Sequence, residues 1–391
     1  MLFETPSLDD RELEVLSEVE DLKNKLRWQL SEPRRWNGSL RRLSFARNIR
    51  GSNSIEGYDA ALDDAAAVAL GEEPLDTTTE TRLALEGYRN AMTYVLQLVQ
   101  EPPVEASEQL IKSLHFMMTS YALANRPGRW RAGPIYVRDD ESGDIVHEGA
   151  DVDDVPALMT EFARSLQVNA EEPPLVTAAM AHLNLVMIHP FRDGNGRMAR
   201  CLQSLVLAGG GTLSPVFMSV EEYLGRNTQL YYEVLAAVGG GRWEPERDAR
   251  PWLRFMMTAH LRQALTLQRR TKESERLWSD LERVVDAAKL PERTIALLFD
   301  AALGLRVRKS TYRALLAEAD EDVSDPTATR DLRQMTEAGL LVAHGEKRGR
   351  FYTRSDQLQS IRDVIVSSRQ RIDARDPFGP GQHAEAQPFL F

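Results

Sequence analysis

His189-Pro190-Phe191-Arg192-Asp193-Gly194-Asn195-Gly196-Arg197-Met198-Ala199-Arg200 concentrates more chemistry than any other stretch of the chain. It follows Leu175 to Ile188, a run that is apolar nearly all round a helical wheel. A helix of that kind belongs at a domain centre. Pro190 ends it, because proline brings no N–H and restricts the residue before it. Gly194-Asn195-Gly196 then opens a second helix, Gly196 to Ala208. The stretch reads as buried helix, tight polar loop, helix, with His189 at the end of the first. His182 lies roughly on the same face and reads as a hydrogen-bonded core histidine.

The loop has the parts of an anion site. Glycines let backbone N–H groups approach a ligand, and a helix N-terminus favours negative charge. Arg197 and Arg200 are three apart and share a helix face beside it. Their planar, forked donors suit phosphate. Asp193 is a hard oxygen ligand of the kind Mg²⁺ uses together with phosphate oxygens. His189 can serve as general base for a hydroxyl. Together these groups describe a nucleotide polyphosphate–Mg²⁺ site with a histidine beside it. No Walker A sequence is present, and no dinucleotide fingerprint follows a strand.

Outward from the loop, helical spacing recurs at Asp9 to Leu30, Leu40 to Arg50, Asp59 to Leu70, Thr78 to Gln100 and Ser107 to Thr119. It returns at Val155 to Val168, Ser219 to Val238 and Pro251 to about Lys289. Only Pro127 to Gly149 differs. There Ile135-Tyr136-Val137 and Ile145-Val146 flank the polar turn Asp139 to Asp144, which predicts a hairpin. A lone hairpin is marginal unless it packs on something, so it is a candidate flap. From Leu290 to Tyr352, three helices and two short β-runs predict a winged helix-turn-helix. The expected class is all-α, with a hairpin flap and this C-terminal unit. The expected division is an N-terminal helical region at 1–100, a catalytic core at 101–270, a linker at 271–289, the winged helix at 290–355 and an extension at 356–391.

The bulk numbers exclude some classes. A net charge of −11 argues against broad, sequence-blind binding to nucleic acid. The single cysteine, Cys201, rules out an intrachain disulfide and fits a reducing compartment. The first residues lack a basic and an apolar region, so no signal peptide is expected. No apolar run approaches the ~18 residues of a membrane span. A cytoplasmic protein with no membrane partner is the expectation.

The quoted stretch matches the Fic motif, His-x-Phe-x-Asp/Glu-Gly-Asn-Gly-Arg-x-x-Arg, at every fixed position, and the chain resembles Fic-domain proteins over roughly Arg42 to Leu261. The resemblance implies an all-α core with a hairpin flap. It implies transfer of AMP from ATP, with Mg²⁺, to a Ser, Thr or Tyr hydroxyl of a target protein or of the chain itself. His189 would be the base, and Asp193 would hold the metal. Gly194, Asn195 and Gly196 would bind phosphate oxygens, with Arg197 and Arg200 on the outer phosphates. Tyr231 and Tyr232 would contact adenine. Ile145, Val146 and His147 of the flap would align the target by strand addition.

A second match, Ser52-Asn53-Ser54-Ile55-Glu56-Gly57, is similar to the family's inhibitory motif, Ser/Thr-x-x-x-Glu-Gly/Asn, in its N-terminal placement. Ser52, Glu56 and Gly57 are its fixed positions. The resemblance implies that Glu56 pairs with Arg200 and takes that arginine from the γ-phosphate. A homodimer, a partner or self-modification could relieve the block. Two other readings stay open. The same site could remove AMP, or transfer another nucleotide or phosphate-bearing group, with Glu56 positioning water. Alternatively the chain is a nucleotide-sensing DNA-binding regulator, through Arg330, Arg333, Lys347, Arg348 and Arg350. The nearby Glu318, Asp320, Glu321, Asp322, Asp325 and Asp331 weigh against DNA contact.

Overall fold

Among the described residues, five α-helices precede the hairpin: α1 (Asp10–Ser31), α2 (Asn37–Ser54), α3 (Leu62–Ala69), α4 (Thr79–Leu98) and α5 (Glu108–Thr119). Thr78 and Ser107 start α4 and α5 by accepting from the N–H three residues on, which satisfies otherwise orphaned donors. The hairpin pairs β1 (Tyr136–Arg138) with β2 (Ile145–Glu148) antiparallel, with a register irregularity at Val137/Arg138. Then come α6 (Val155–Ser165), α7 (Pro174–Ile188), α8 (Asn195–Gly209), α9 (Pro215–Met218), α10 (Glu221–Arg226), α11 (Thr228–Gly239) and α12 (Arg250–Ala287). The C-terminal unit holds α13 (Ile295–Ala302), α14 (Lys309–Glu318), α15 (Asp325–Glu337), the antiparallel pair β3 (Leu341–His344) and β4 (Phe351–Arg354), and α16 (Asp356–Ser367).

This computed structural model describes residues 1–31, 34–101, 104–138, 142–166, 172–209, 214–346, 349–369 and 376–379. Val168, the Asp139–Glu141 part of the hairpin turn, Lys347, Arg348 and half of the C-terminal extension lie outside the described residues. Among the described residues, no helix is long and apolar enough to cross a membrane.

α7 is buried on nearly every face and packs along α8. His182 is fully buried in it, within 2.6 Å of the Gln203 carbonyl and 3.0 Å of the Tyr231 hydroxyl. Two apolar clusters surround this pair. One runs through α2, α4, α5 and α8 and on into the C-terminal unit, and the other joins α1, α7, α11 and the first half of α12. α2 meets α10 at a point where only glycine fits. A Cβ on Gly51 would stand 2.4 Å from the Glu221 carbonyl oxygen, and one on Gly225 would stand 2.8 Å from that of Gly51.

α12 is one unbroken helix of 38 residues, running through 270 and most of 271–289. The chain has no glycine or proline between Pro251 and Pro291 to interrupt it. Ser219 to Val238 is two helices, broken at Asn227, which follows Gly225. Asp331 does not join the surface acids. It is buried and accepts from Arg293 and from the Tyr312 hydroxyl.

The C-terminal unit is fastened to the N-terminal helices by charge. Arg42 of α2 donates to Asp300 of α13 at 2.7 and 2.9 Å, both side chains being buried. Arg306 pairs with Asp63 and Asp76, and Arg308 donates to the Glu73 carbonyl.

Candidate active site

His189 ends α7 in the left-handed conformation, φ 54°, and Pro190 follows it directly. Its Nδ1 lies 3.1 Å from the Val186 carbonyl. A carbonyl can only accept, so Nδ1 carries the proton and Nε2 keeps its lone pair. Burial pushes the ring's pKa down to about 4, with the nearby His147 acting in the same direction. At neutral pH the ring is an uncharged acceptor.

The loop that follows is held by groups from distant parts of the chain. Phe191 is buried and stacked on His115, ring centres 3.6 Å apart. His115 Nε2 donates to the Asp193 carbonyl at 2.8 Å, and its Nδ1 accepts from Gly128 N–H at 2.8 Å. Asn125 donates to the Asp193 carboxylate at 3.1 Å. Arg131 gathers the other side. It donates to the carbonyls of His189 (2.8 Å), Gly133 (2.7 Å) and Ala150, while its own N–H donates to the Pro190 carbonyl at 2.9 Å. One buried guanidinium thus ties both stems of the hairpin to the histidine's backbone.

α8 begins at Asn195 and presents Arg197 and Arg200 on its inner side. Both are buried. Arg197 donates to the Tyr121 hydroxyl at 3.0 Å and lies over the Tyr58 ring, 5.1 Å from its centre. Its Nε and Nη2 have no hydrogen-bond partner among the described residues, nor has Arg200 Nη1. Arg200 Nε donates to Ser52 Oγ (2.9 Å), and its Nη2 donates to the Ser52 carbonyl (2.9 Å) and to Glu56 Oε1 (2.6 Å). Burial opposes the charge of Arg200, and the Glu56 carboxylate outweighs it, so the guanidinium is held above its ordinary pKa. The Glu56 carboxylate rests on the first turn of α8. A Cβ on Gly196 would stand 2.2 Å from its Oε1, which only glycine permits.

Ser52 lies in the last turn of α2, and the turn after it swings at Gly57 (φ 81°) to aim Glu56 at α8. His189, Asp193, Gly194, Gly196, Arg197, Arg200, Ser52 and Glu56 are therefore brought together. Asn195 is not free for phosphate: its amide accepts from the Phe191 N–H and donates to the Phe191 carbonyl, both at 2.9 Å. It clamps the loop. Tyr231 is 1% exposed and packed among His182, Trp252 and Phe255, so it is core. Tyr232 is 45% exposed and donates to the Ile55 carbonyl at 3.0 Å, beside the Glu56 turn. On the hairpin, Ile145 and Val146 are exposed, but His147 turns inward to the Met187 carbonyl at 2.9 Å. His115, Tyr121, Asn125 and Arg131 went unread. Only the turn-rich surroundings of Arg131 marked any of them in the sequence.

The orphaned donors of Arg197 and Arg200, at the start of a helix, fit a phosphate chain. Among the described residues, no group of three or more metal-type side chains gathers. A single carboxylate, Asp193, suits Mg²⁺ held mainly by phosphate oxygens and water.

Residues 105–207 match the Fic/DOC family. Over that stretch the chain is similar to Fic/DOC proteins. Beyond it, the likeness extends to curated proteins named Protein adenylyltransferase Fic. The one from Drosophila melanogaster is 30% identical over 259 residues, covering 64% of this chain and 46% of that protein. The one from Nematostella vectensis is 27% identical, covering 64% and 55%. The chain thus spans about half the length of the curated relatives it matches. Among solved structures, a Fic family protein from Desulfovibrio desulfuricans G20 matches 90% of this chain and 98% of its own, with a TM-score of 0.57 at 22% identity. A Fic-1 fragment from C. elegans matches 67% and 73%, with a TM-score of 0.53 at 21% identity. These two share the fold around residues 105–207.

Proposed function

We propose that the chain is a protein adenylyltransferase that transfers AMP from ATP to a hydroxyl side chain, and that Glu56 restrains it. The observation that carries this reading is Arg200. It is anchored by Ser52 and capped by Glu56, on the helix that starts one short loop after His189. His189 Nε2 takes the proton of the target Ser, Thr or Tyr hydroxyl. The freed oxygen attacks the α-phosphorus, a P–O bond forms, and the bond to the departing pyrophosphate breaks. Arg197 and Arg200 hold the outer phosphates with the donors now orphaned, and the N–H groups at the start of α8 face the chain of phosphates. Mg²⁺, held by Asp193, would neutralise phosphate charge and fix the α- and β-phosphates. Exposed Ile145 and Val146 would align the target segment along the hairpin edge.

While Glu56 occupies Arg200, that arginine is denied to the γ-phosphate. Glu56→Gly should raise labelling of the chain or of a target by α-labelled ATP on the order of 10- to 100-fold, the size of a coupling of about 1–3 kcal/mol. Equal labelling of both proteins would leave Glu56 with no inhibitory role. The mass of the modified product distinguishes AMP transfer from transfer of another group, and a loss of AMP from a pre-modified target would favour removal.

We read the C-terminal unit as a winged helix that contacts protein rather than DNA. Arg330, Arg333 and Arg350 are exposed, but Arg333 lies 3.4 Å from Glu337, and Asp325 already pairs with Lys309 and Arg313. Titration with genomic DNA fragments should stay flat between low and physiological salt. Sequence-specific binding that weakens steeply with salt would replace this reading with a DNA-binding one.

A further inference from the structure

Away from the Fic site, a second set of arginines meets on the far side of α2. Glu222 of α10 is shared by three of them. Arg270 donates to it at 2.5 and 2.7 Å, Arg226 lies 2.7 Å away and Arg47 lies 3.9 Å away. Glu273 of α12 is shared by three more. Arg369 donates at 2.7 and 3.0 Å, Arg362 at 3.1 Å, and Arg269 Nε stops at 3.7 Å, too far for a hydrogen bond. The two groups act on each other. Arg47 is pressed down to a pKa of about 9 by burial first, then by Arg270, and also by Arg362 of the other group. Arg269 is lowered by burial, by Arg369, and by Arg270 and Arg226 of the other group.

Among the described residues, six guanidiniums therefore face two carboxylates, an excess of four positive charges, in a chain of net charge −11. A structural ion-pair network would be closer to balance, since unpaired buried charge is costly. The donors are not all spent either. Arg269 Nε and Arg362 Nη1 are shielded from solvent and have no hydrogen-bond partner among the described residues. Arg226 of α10, Arg269 of α12 and Arg369, two residues past the end of α16, keep 50%, 26% and 30% of their side-chain surface open.

We propose that Arg226, Arg269, Arg362 and Arg369 form a second anion site, at the seam of α10, α12 and α16, for the phosphate chain of a small molecule. Forked guanidiniums converging from three helices suit several oxygens of one compact anion. A nucleic-acid backbone calls instead for a stripe of positive charge along its length. The site is independent of the transferase reading. Arg47 belongs to the same network and sits about one and a half helical turns before Ser52 on α2, so the helix that ends in the Glu56 turn lies against this site.

The test is calorimetric titration of the full chain with tripolyphosphate. The Fic site also takes such an anion, so variants separate the two. Arg226→Ala combined with Arg369→Ala should remove one binding step or weaken it about tenfold or more, with the circular dichroism melt checking the fold. Arg200→Ala should weaken the other step and leave this one. Arg226→Lys with Arg369→Lys should fall between, since lysine keeps the charge and loses the fork. Tripolyphosphate and ATP should compete for the site alike, because every donor is a guanidinium. An alanine pair with both steps intact overturns the proposal. So does a site that takes ATP and ignores tripolyphosphate, or one that a duplex oligonucleotide fills as tightly at the same salt.

Discussion

Replacing His189 by alanine is expected to lower AMP transfer by about 10²–10⁴-fold, the range over which general-base groups contribute. Nucleotide binding should persist, because the donors of Arg197 and Arg200 are untouched. Single-turnover transfer and equilibrium ATP binding, measured in the Glu56→Gly background, separate the two effects. A variant that keeps more than a tenth of the rate would remove His189 from the base role. The pH profile gives a second check. Burial lowers the His189 pKa to about 4, and the neutral ring is the active form. Lowering the pKa moves the acid limb down, so kcat/KM should stay flat from pH 8 to about 5.5 and fall only below that. A limb near the unperturbed value of about 6.5 would mean that the ring is not desolvated in the working enzyme.

The second large effect concerns stability. Asp300→Ala leaves Arg42 buried beside α13 without its main counter-charge. Breaking a buried pair from one side costs about 3–5 kcal/mol. Glu318, 3.3 Å from Arg42 but more than half exposed, can offset only part of that. The variant should melt at clearly lower temperature by calorimetry, with the transition of the C-terminal unit moving most. An unchanged melt would show that water or Glu318 already satisfies Arg42. Replacing Arg42 and Asp300 together with apolar residues should recover most of the loss, since the penalty lies in the unpaired charge.

The catalytic loop was legible because its parts are contiguous. A helix apolar all round, a proline and a Gly-Asn-Gly turn follow one another directly within 175–196. The Glu56–Arg200 contact spans 144 residues, and nothing local announces it. It came from a family pattern. The Asn195 side chain spends both ends on the backbone four residues earlier, which composition cannot reveal. Tyr231 and Tyr232 are adjacent on a helix, so they face directions about 100° apart, as 3.6 residues per turn requires. One had to point inward, and only the distant Trp252 and Phe255 decide which. His115, Asn125 and Arg131 reach the loop from more than fifty residues upstream through carbonyl and ring contacts, and these leave no periodic trace. The break at Asn227 and the continuity of α12 were different. Gly225 and the absence of any breaker after Pro251 were both visible in the letters.

The unbroken α12 has a consequence for how such a chain can be rearranged. Its first half carries Trp252, Phe255 and Met256 into the core around α7, and its second half carries Leu277, Trp278 and Leu281 into the C-terminal unit. A breakpoint near residue 270 would give each fragment half an amphipathic rod with its partner surface gone. The helical core around α7 is not a cassette that recombination can lift out cleanly. A rearrangement that keeps the fold must carry that core and the C-terminal unit together.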